Sequence, residues 1–197
     1  MFTGIVEGMG RVISLDPENG NLHITLECPF AGELKIDQSL SHNGVCLTVV
    51  EADATKYRVT AIAETLRKSN LGLLKTNELI NLERSMIMNG RIDGHIVQGH
   101  VDLTGECTSV EDQNGSWLYR FEYEGDDESI TVTKGSICVN GVSLTIVDSG
   151  RQSFSVAVIP FTHEHTNFKN LQKGSVVNLE FDVLGKYVAK YLSLHNK

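Results

Sequence analysis

The chain reads as an all-β protein of two similar domains in tandem. Three features carry that reading: a long internal repeat, apolar–polar alternation of period two, and turn-forming residues between the alternating stretches. Shifting residues 43–83 by 97 positions lays them on 140–180 without a gap, with about a third of the residues identical. Asn43-Gly44-Val45-Cys46-Leu47-Thr48 falls on Asn140-Gly141-Val142-Ser143-Leu144-Thr145, and Asn81-Leu82-Glu83 on Asn178-Leu179-Glu180. Farther upstream the offset is 95, with Gly4-Ile5-Val6-Glu7 meeting Gly99-His100-Val101-Asp102, the change a loop deletion would leave. A period near 97 is too long for a solenoid unit and suits a small domain. Any site is therefore expected twice, once per half.

The strands follow in order. Alternation predicts half-buried strands at Asn21–Leu26, Val45–Val50, Tyr57–Ile62 and Ile80–Glu83 in the first half. In the second half it predicts them at Leu118–Tyr123, Ser129–Val132, Phe154–Val158 and Val176–Glu180. Turn formers separate them: Asp16-Pro17-Glu18-Asn19-Gly20, Asn43-Gly44, Gln113-Asn114-Gly115, Asn140-Gly141 and Lys173-Gly174. Short strands with turns at this spacing imply a sandwich or barrel per half. Helical signals are few: Glu64–Lys75, its counterpart Thr162–Gln172, and an amphipathic stretch at Lys186–Leu192 outside the repeat. Met86–Asp93 reads as the linker, which divides the chain into domains 1–92 and 93–184 and a terminal helix 185–197.

Composition narrows the function classes. With 197 residues and 41% hydrophobic content, each half can build its own core. A net charge of -8 argues against nucleic acid as the main partner. The start lacks a basic segment followed by a long apolar one, and no run approaches membrane-spanning length, so the expectation is a cytoplasmic protein with no membrane partner. Cys28, Cys46, Cys107 and Cys138 show no C-x-x-C spacing, and free thiols are expected. No P-loop, G-x-G-x-x-G, H-E-x-x-H or G-x-S-x-G is present, which turns the reading away from phosphoryl transfer, dinucleotide hydride transfer and zinc hydrolysis.

Few residues are placed to carry chemistry. His95 and His100 are five apart, a spacing that suits no shared metal on a helix or strand face. His100 stands where the first half has Ile5, so one of two equivalent sites has gained an acid–base group. Its alternative is a hydrogen-bonded loop histidine. His163-Glu164-His165 could present alternate residues of a strand to a metal, but no third ligand stands at a recognisable spacing, and no metal is expected. Cys46 and Thr48 share a strand face, as do Ser143 and Thr145, so each half offers a pair of polar side chains. These either line a cleft for a polar heterocycle or are simply solvated.

The combination Met-Phe-Thr-Gly-Ile-Val, Asn-Gly-x-Cys-Leu-Thr, Gly-His-x-x-x-Gly-His and Asn-Gly-x-Ser-Leu-Thr closely resembles riboflavin synthase across essentially the whole chain. The resemblance implies two six-stranded Greek-key barrels, similar to flavin-reductase barrels, and a C-terminal helix that forms a homotrimer. It implies a dismutation in which two molecules of 6,7-dimethyl-8-ribityllumazine exchange a four-carbon unit, giving riboflavin and 5-amino-6-ribitylamino-uracil. No metal or redox cofactor is implied, because the electrons balance between the two substrates. Association with lumazine synthase, one step upstream, is left open.

Carried over residue by residue, the resemblance groups Phe2, Gly4, Ile5, Val6, Ser39, Cys46, Leu47, Thr48 and the segment Thr60, Ala61, Ile62, Ala63, Glu64, Thr65 around one lumazine. It groups His95, Gly99, His100, Val101, Lys134, Ser143, Leu144, Thr145 and Ala157, Val158, Ile159, Pro160, Phe161, Thr162 around the other. Phe2 would cover a ring and His100 would be the acid–base group; Ser143 and Thr145, with Asp182 orienting the serine, would bind the pteridine edge or stabilise the anion, as Cys46 and Thr48 would at the opposite site. Val45 departs from members with a second cysteine there, and Val142 in the second repeat marks the position as structural.

Two rivals stand beside this reading. A non-catalytic antenna protein of the same fold, like the lumazine proteins of luminous bacteria, would have lost polar residues that His95, His100, Ser143, Thr145 and Asp182 retain here. A flavin-dependent reductase would need a nucleotide-binding α/β domain where this chain begins its second repeat.

Overall fold

Twelve strands close into two six-stranded antiparallel barrels in the computed structural model, which describes residues 1–126 and 128–195. The first comprises β1 (Gly8–Glu18), β2 (Asn21–Glu27), β3 (Ser39–His42), β4 (Val45–Ala52), β5 (Lys56–Ala61) and β6 (Leu79–Arg84). The second comprises β7 (Leu103–Asp112), β8 (Trp117–Tyr123), β9 (Ser136–Val139), β10 (Val142–Ser149), β11 (Ser153–Val158) and β12 (Val176–Phe181). Around the first barrel the order is β1-β2-β5-β4-β3-β6, and the second repeats it with every number raised by six. Val45, Leu47 and Val49 of β4 face the first core, as Val142, Leu144 and Ile146 of β10 face the second. The period-two pleat then sends Cys46 and Thr48, or Ser143 and Thr145, to the outer face of each barrel.

Three expectations need correction. Ser129–Val132 forms no strand: Asp126 accepts hydrogen bonds from the Glu128 N–H and the Ser129 hydroxyl, which folds the segment into a turn. Ile130 and Val132 stay 48% and 61% exposed, so the alternation there has no core to face. Each inter-strand helix is broken in two. α1 (Ala63–Lys68) and α2 (Pro160–His165) end where Ser69 and Thr166 donate back to the carbonyls of Thr65 and Thr162. The same hydroxyls accept from Leu71 and Phe168 to start a 3₁₀ turn. The terminal helix α3 (Val183–His195) begins before Gly185, with Lys186 bound to Asp102 at 2.7 Å.

The barrels meet about a pseudo-twofold axis. The hairpin tips Asn43-Gly44 and Asn140-Gly141 all have positive φ, as a type I′ turn requires, and they pack tip to tip. A Cβ on Gly44 would lie 2.9 Å from the Gly141 nitrogen, and one on Gly141 would lie 2.8 Å from the Gly44 nitrogen. Six buried asparagines surround this contact: Asn43, Asn70 and Asn81, with their counterparts Asn140, Asn167 and Asn178. The Asn81 amide donates to the Asn140 carbonyl and to Asn167 Oδ1, both at 2.9 Å, and Asn178 donates to the Asn43 carbonyl at 2.8 Å.

One core residue makes the two barrels differ in acid. His42 is fully buried, with Nε2 3.0 Å from the Tyr57 hydroxyl and Nδ1 3.0 Å from the Leu40 carbonyl oxygen. Val139 and Phe154 occupy the matching positions in the second barrel. Burial pushes the His42 pKa down from 6.5 to about 4, so the unfolded chain binds the extra proton between those values. Its contribution is present above pH 6.5 and is lost as pH falls through about 4. The full loss is about 3 kcal/mol. Denaturant unfolding at pH 7 and pH 4 should show a shallower acid loss in a His42→Val, Tyr57→Phe variant than in the wild type. An equal loss in both would remove His42 as the cause.

Candidate functional site

Two short arms precede the barrels, residues 2–6 and 97–101. They pair with each other where the Phe2 N–H donates to the Val97 carbonyl at 2.7 Å and the Val97 N–H returns the bond at 3.1 Å. A buried carboxylate holds each arm to the barrel of its own half. Glu83 on β6 accepts the Thr3 N–H at 2.6 Å, the Thr3 hydroxyl at 2.7 Å and the Gly4 N–H at 2.9 Å. Glu180 on β12 accepts the N–H groups of Gln98, Gly99 and His100 at 2.6, 2.9 and 2.8 Å. Desolvation raises the pKa of both carboxyls, and the arm N–H groups pull it back toward the ionised form.

Each arm then reaches the opposite barrel. The Ser143 N–H donates to the Gly4 carbonyl at 2.7 Å, and the Cys46 N–H donates to the Gly99 carbonyl at 2.8 Å. Val6 packs on the core of the second barrel and Val101 on the core of the first. The expected grouping by sequence half is therefore exchanged. Gly4, Ile5 and Val6 belong with Ser143 on β10, and Gly99, His100 and Val101 with Cys46 on β4. Linear order hid this because an arm of five residues is long enough to cross the seam between barrels.

The Ser143 side carries the more developed chemistry. Ser143 Oγ and His95 Nδ1 lie 2.7 Å apart, and the His95 N–H donates to the Thr3 carbonyl at 3.1 Å. Desolvation lowers the His95 pKa below 6.5, while the nearby Asp182 carboxylate pulls it back up. Asp182 itself accepts the Leu184 N–H at the start of α3. Ser143 thus meets His95, Asp182 lies near enough to that imidazole to act on its charge, and among the described residues no hydrogen bond joins Asp182 to Ser143. The His100 ring is exposed on the Cys46 side and has no hydrogen-bond partner among the described residues.

Other expected residues divide. Thr48, Thr145, Lys134, Ile62, Ala63, Glu64, Ala157, Ile159, Pro160 and Phe161 are exposed around the two faces, and Ser39 pairs with Thr48. Leu47, Leu144, Ala61 and Val158 point into the cores. The Thr60 hydroxyl lies 2.9 Å from His23 Nδ1. Phe2, expected to cover a ring, is wholly buried in the seam with Val97, Cys138 and Cys46. His163 and His165 sit on α2, not on a strand; His163 stacks on Trp117 with centroids 3.8 Å apart. Among the described residues no three metal-ligating side chains gather. A concavity of about 970 Å³ lined by Arg67, Lys68, Glu106, Glu122 and Arg151 includes none of the Cys46- or Ser143-side residues; Thr48 and Thr145 are exposed on those two barrel faces.

Residues 3–85 and 98–182 each match the lumazine binding domain family. Curated riboflavin synthases align along almost the whole chain: that of Actinobacillus pleuropneumoniae is 38% identical, covering 98% of this chain and 90% of its own. That of Mycobacterium bovis is 39% identical with 98% of both chains covered. The chain belongs to the riboflavin synthase family. The LumP structures complexed with 6,7-dimethyl-8-(1'-D-ribityl) lumazine and with riboflavin share its fold, with TM-scores of 0.83 and 0.85 at 20% identity over 92% of this chain. Each of the two matched repeats of this chain carries its own arm and carboxylate: Thr3 and Gly4 with Glu83, and Gln98 to His100 with Glu180. His95 falls between the two repeats and has no counterpart in the first, which is why Ser143 has an imidazole partner and Cys46 has none. Sequence reasoning missed both carboxylates, although the repeated Asn-Leu-Glu contained them.

Proposed function

We infer that the protein acts as a riboflavin synthase, a transferase (EC 2.5.1.9) that converts two molecules of 6,7-dimethyl-8-ribityllumazine into riboflavin and 5-amino-6-ribitylamino-uracil. One observation carries the mechanism: two barrels of one pattern present equivalent strand-and-arm faces, and one of them adds a serine–histidine pair. A reaction between two copies of one molecule needs two similar sites that differ in chemistry. The Gly4–Val6 arm with Ser143, Thr145 and 157–162 would hold one lumazine. The Gly99–Val101 arm with Cys46, Thr48 and 60–65 would hold the other.

The reaction takes a proton from the acidic C7 methyl of one lumazine and adds a nucleophile at C7 of its partner. Neutral His95 can accept the Ser143 hydroxyl proton through Nδ1, which makes Ser143 a base or nucleophile at one site. Exposed His100 supplies an acid–base group at the other. Holding the rings in register contributes up to about 7–11 kcal/mol of the barrier reduction.

Open faces need a cover from elsewhere, which favours assembly as a homotrimer in which sites of neighbouring subunits face each other. Helix α3 supports this with Leu184, Tyr187, Val188 and Tyr191 each at least 59% exposed. No helix among the described residues is long and apolar enough to cross a membrane, and we place the enzyme in the cytoplasm. An antenna role is the second reading, and the retained Ser143–His95 pair with Asp182 nearby weighs against it. Purified protein mixed with the lumazine alone should form riboflavin at half the molar rate of lumazine loss. Tight binding without turnover would leave the antenna reading.

A further inference from the structure

Glu83 and Glu180 sit on β6 and β12, away from the strands that bear Cys46 and Ser143, and each is at most 5% exposed. Among the described residues, every hydrogen bond that the Glu83 and Glu180 carboxylates accept comes from an arm. Each arm's next contact is with the other barrel, through the Gly4 carbonyl to Ser143 or the Gly99 carbonyl to Cys46. The register has little slack. A Cβ on Gly4 would lie 2.6 Å from Ser143 Cβ, and one on Gly99 would lie 2.6 Å from Cys46 Cβ, so only these glycines can stand opposite those strands.

We propose that Glu83 and Glu180 are positioning residues that act crosswise: Glu83 of the first barrel sets the site around Ser143 on the second, and Glu180 of the second sets the site around Cys46 on the first. The functional weight of this clasp rests on the reading of those faces as lumazine sites; the clasp itself does not. A carboxylate suits the task because both of its oxygens accept, and the arm offers only donors. Glutamine would turn an NH₂ toward one of those N–H groups, leaving a buried donor facing a donor. The arm then loosens, and with it the opposite strand's amide and the wall of that site.

Amide exchange on the full-length protein without ligand, read by peptide mass spectrometry, tests the clasp. Glu83→Gln should speed exchange by about tenfold or more in the peptide carrying Ser143 while the Cys46 peptide stays protected. Glu180→Gln should do the reverse. A carboxylate that only braced its own barrel would expose its own strands, and that pattern would overturn the proposal. If Glu83→Gln loosens the whole chain, Thr3→Val decides. It removes only the hydroxyl bond to Glu83, and a rise confined to the Ser143 peptide supports the clasp, whereas an unchanged Ser143 peptide or an equal rise in both overturns it. Titration with 6,7-dimethyl-8-ribityllumazine completes the test: each variant that passes the exchange test should lose one of two binding events. Wild-type protein with the expected exchange pattern but no lumazine binding would remove the functional reading and leave the clasp standing. Wild type that binds while Glu83→Gln leaves Ser143 protected would remove the clasp.

Discussion

Ser143→Ala is expected to slow riboflavin formation by about 10²–10⁴-fold, the range general acid–base groups usually supply. Among the described residues the hydroxyl has one hydrogen-bond partner, His95 Nδ1 at 2.7 Å, and desolvation lowers the pKa of that imidazole. His95→Gln should therefore fall into the same range. Because the two act as a unit, the double variant should be no slower than the worse single one. The pH profile supplies an independent sign. His95 must be neutral to accept the hydroxyl proton, and its folded pKa lies below 6.5, so kcat should hold as pH drops through 6.5 and fall only at lower pH. Lumazine absorbance under saturating substrate measures all three quantities. A Ser143→Ala enzyme within about twofold of wild type would move the chemistry to His100 and the Cys46 face. The same argument predicts a smaller effect for Cys46→Ala, since no imidazole bonds the thiol.

The repeat and the alternation made two all-β domains and their same-face polar pairs legible in the sequence, because a pleat of period two follows directly from residue order; that each domain closes as a barrel came with the family resemblance. Strands β1, β3, β7 and β9 were not read from the sequence: in β3, Ser39–His42 is polar in composition, yet His42 and Ser41 are buried. Ile80–Glu83 read as a half-buried strand, and it is buried on both faces. Its polar side, Asn81 and Glu83, faces the asparagine cluster and an arm instead of water. Alternation reports which face is polar and is silent on whether solvent or a hydrogen-bonded partner meets it. The exchange of the arms lay outside sequence logic for a related reason. Gly4 and Gly99 match their own repeats equally well whichever barrel they touch, and only the contacts to Ser143 and Cys46 tell which.

Asn81→Ala should cost about 3 kcal/mol or more of stability, the largest loss expected from any surface of the fold outside the cores. Its amide serves three buried groups of the other barrel: the Asn140 carbonyl, Asn167 Oδ1 and the Asn167 N–H. Alanine leaves all three without that partner, each at about 1–3 kcal/mol before water or a shifted side chain relieves part of it. Asn178 serves two groups across the seam, the Asn43 carbonyl and the Asn70 N–H, so Asn178→Ala should cost less. Denaturant unfolding at pH 7 reads both the cost and its kind. Apart from Phe2, Val97, Cys138 and Cys46 the seam is polar, and the two main cores are separate, so the asparagines are expected to hold the two barrels to one unfolding transition. Weakening them should lower the apparent m-value or split the curve into two transitions as each barrel unfolds on its own. A shifted midpoint with an unchanged m-value would mean that the arms, not the asparagines, join the barrels, since Phe2 and Val97 would still bridge them. Combining Asn81→Ala with Glu83→Gln separates the two. Both side chains lie on the same face of β6, and a splitting that requires the pair would assign cohesion to that strand face as a whole.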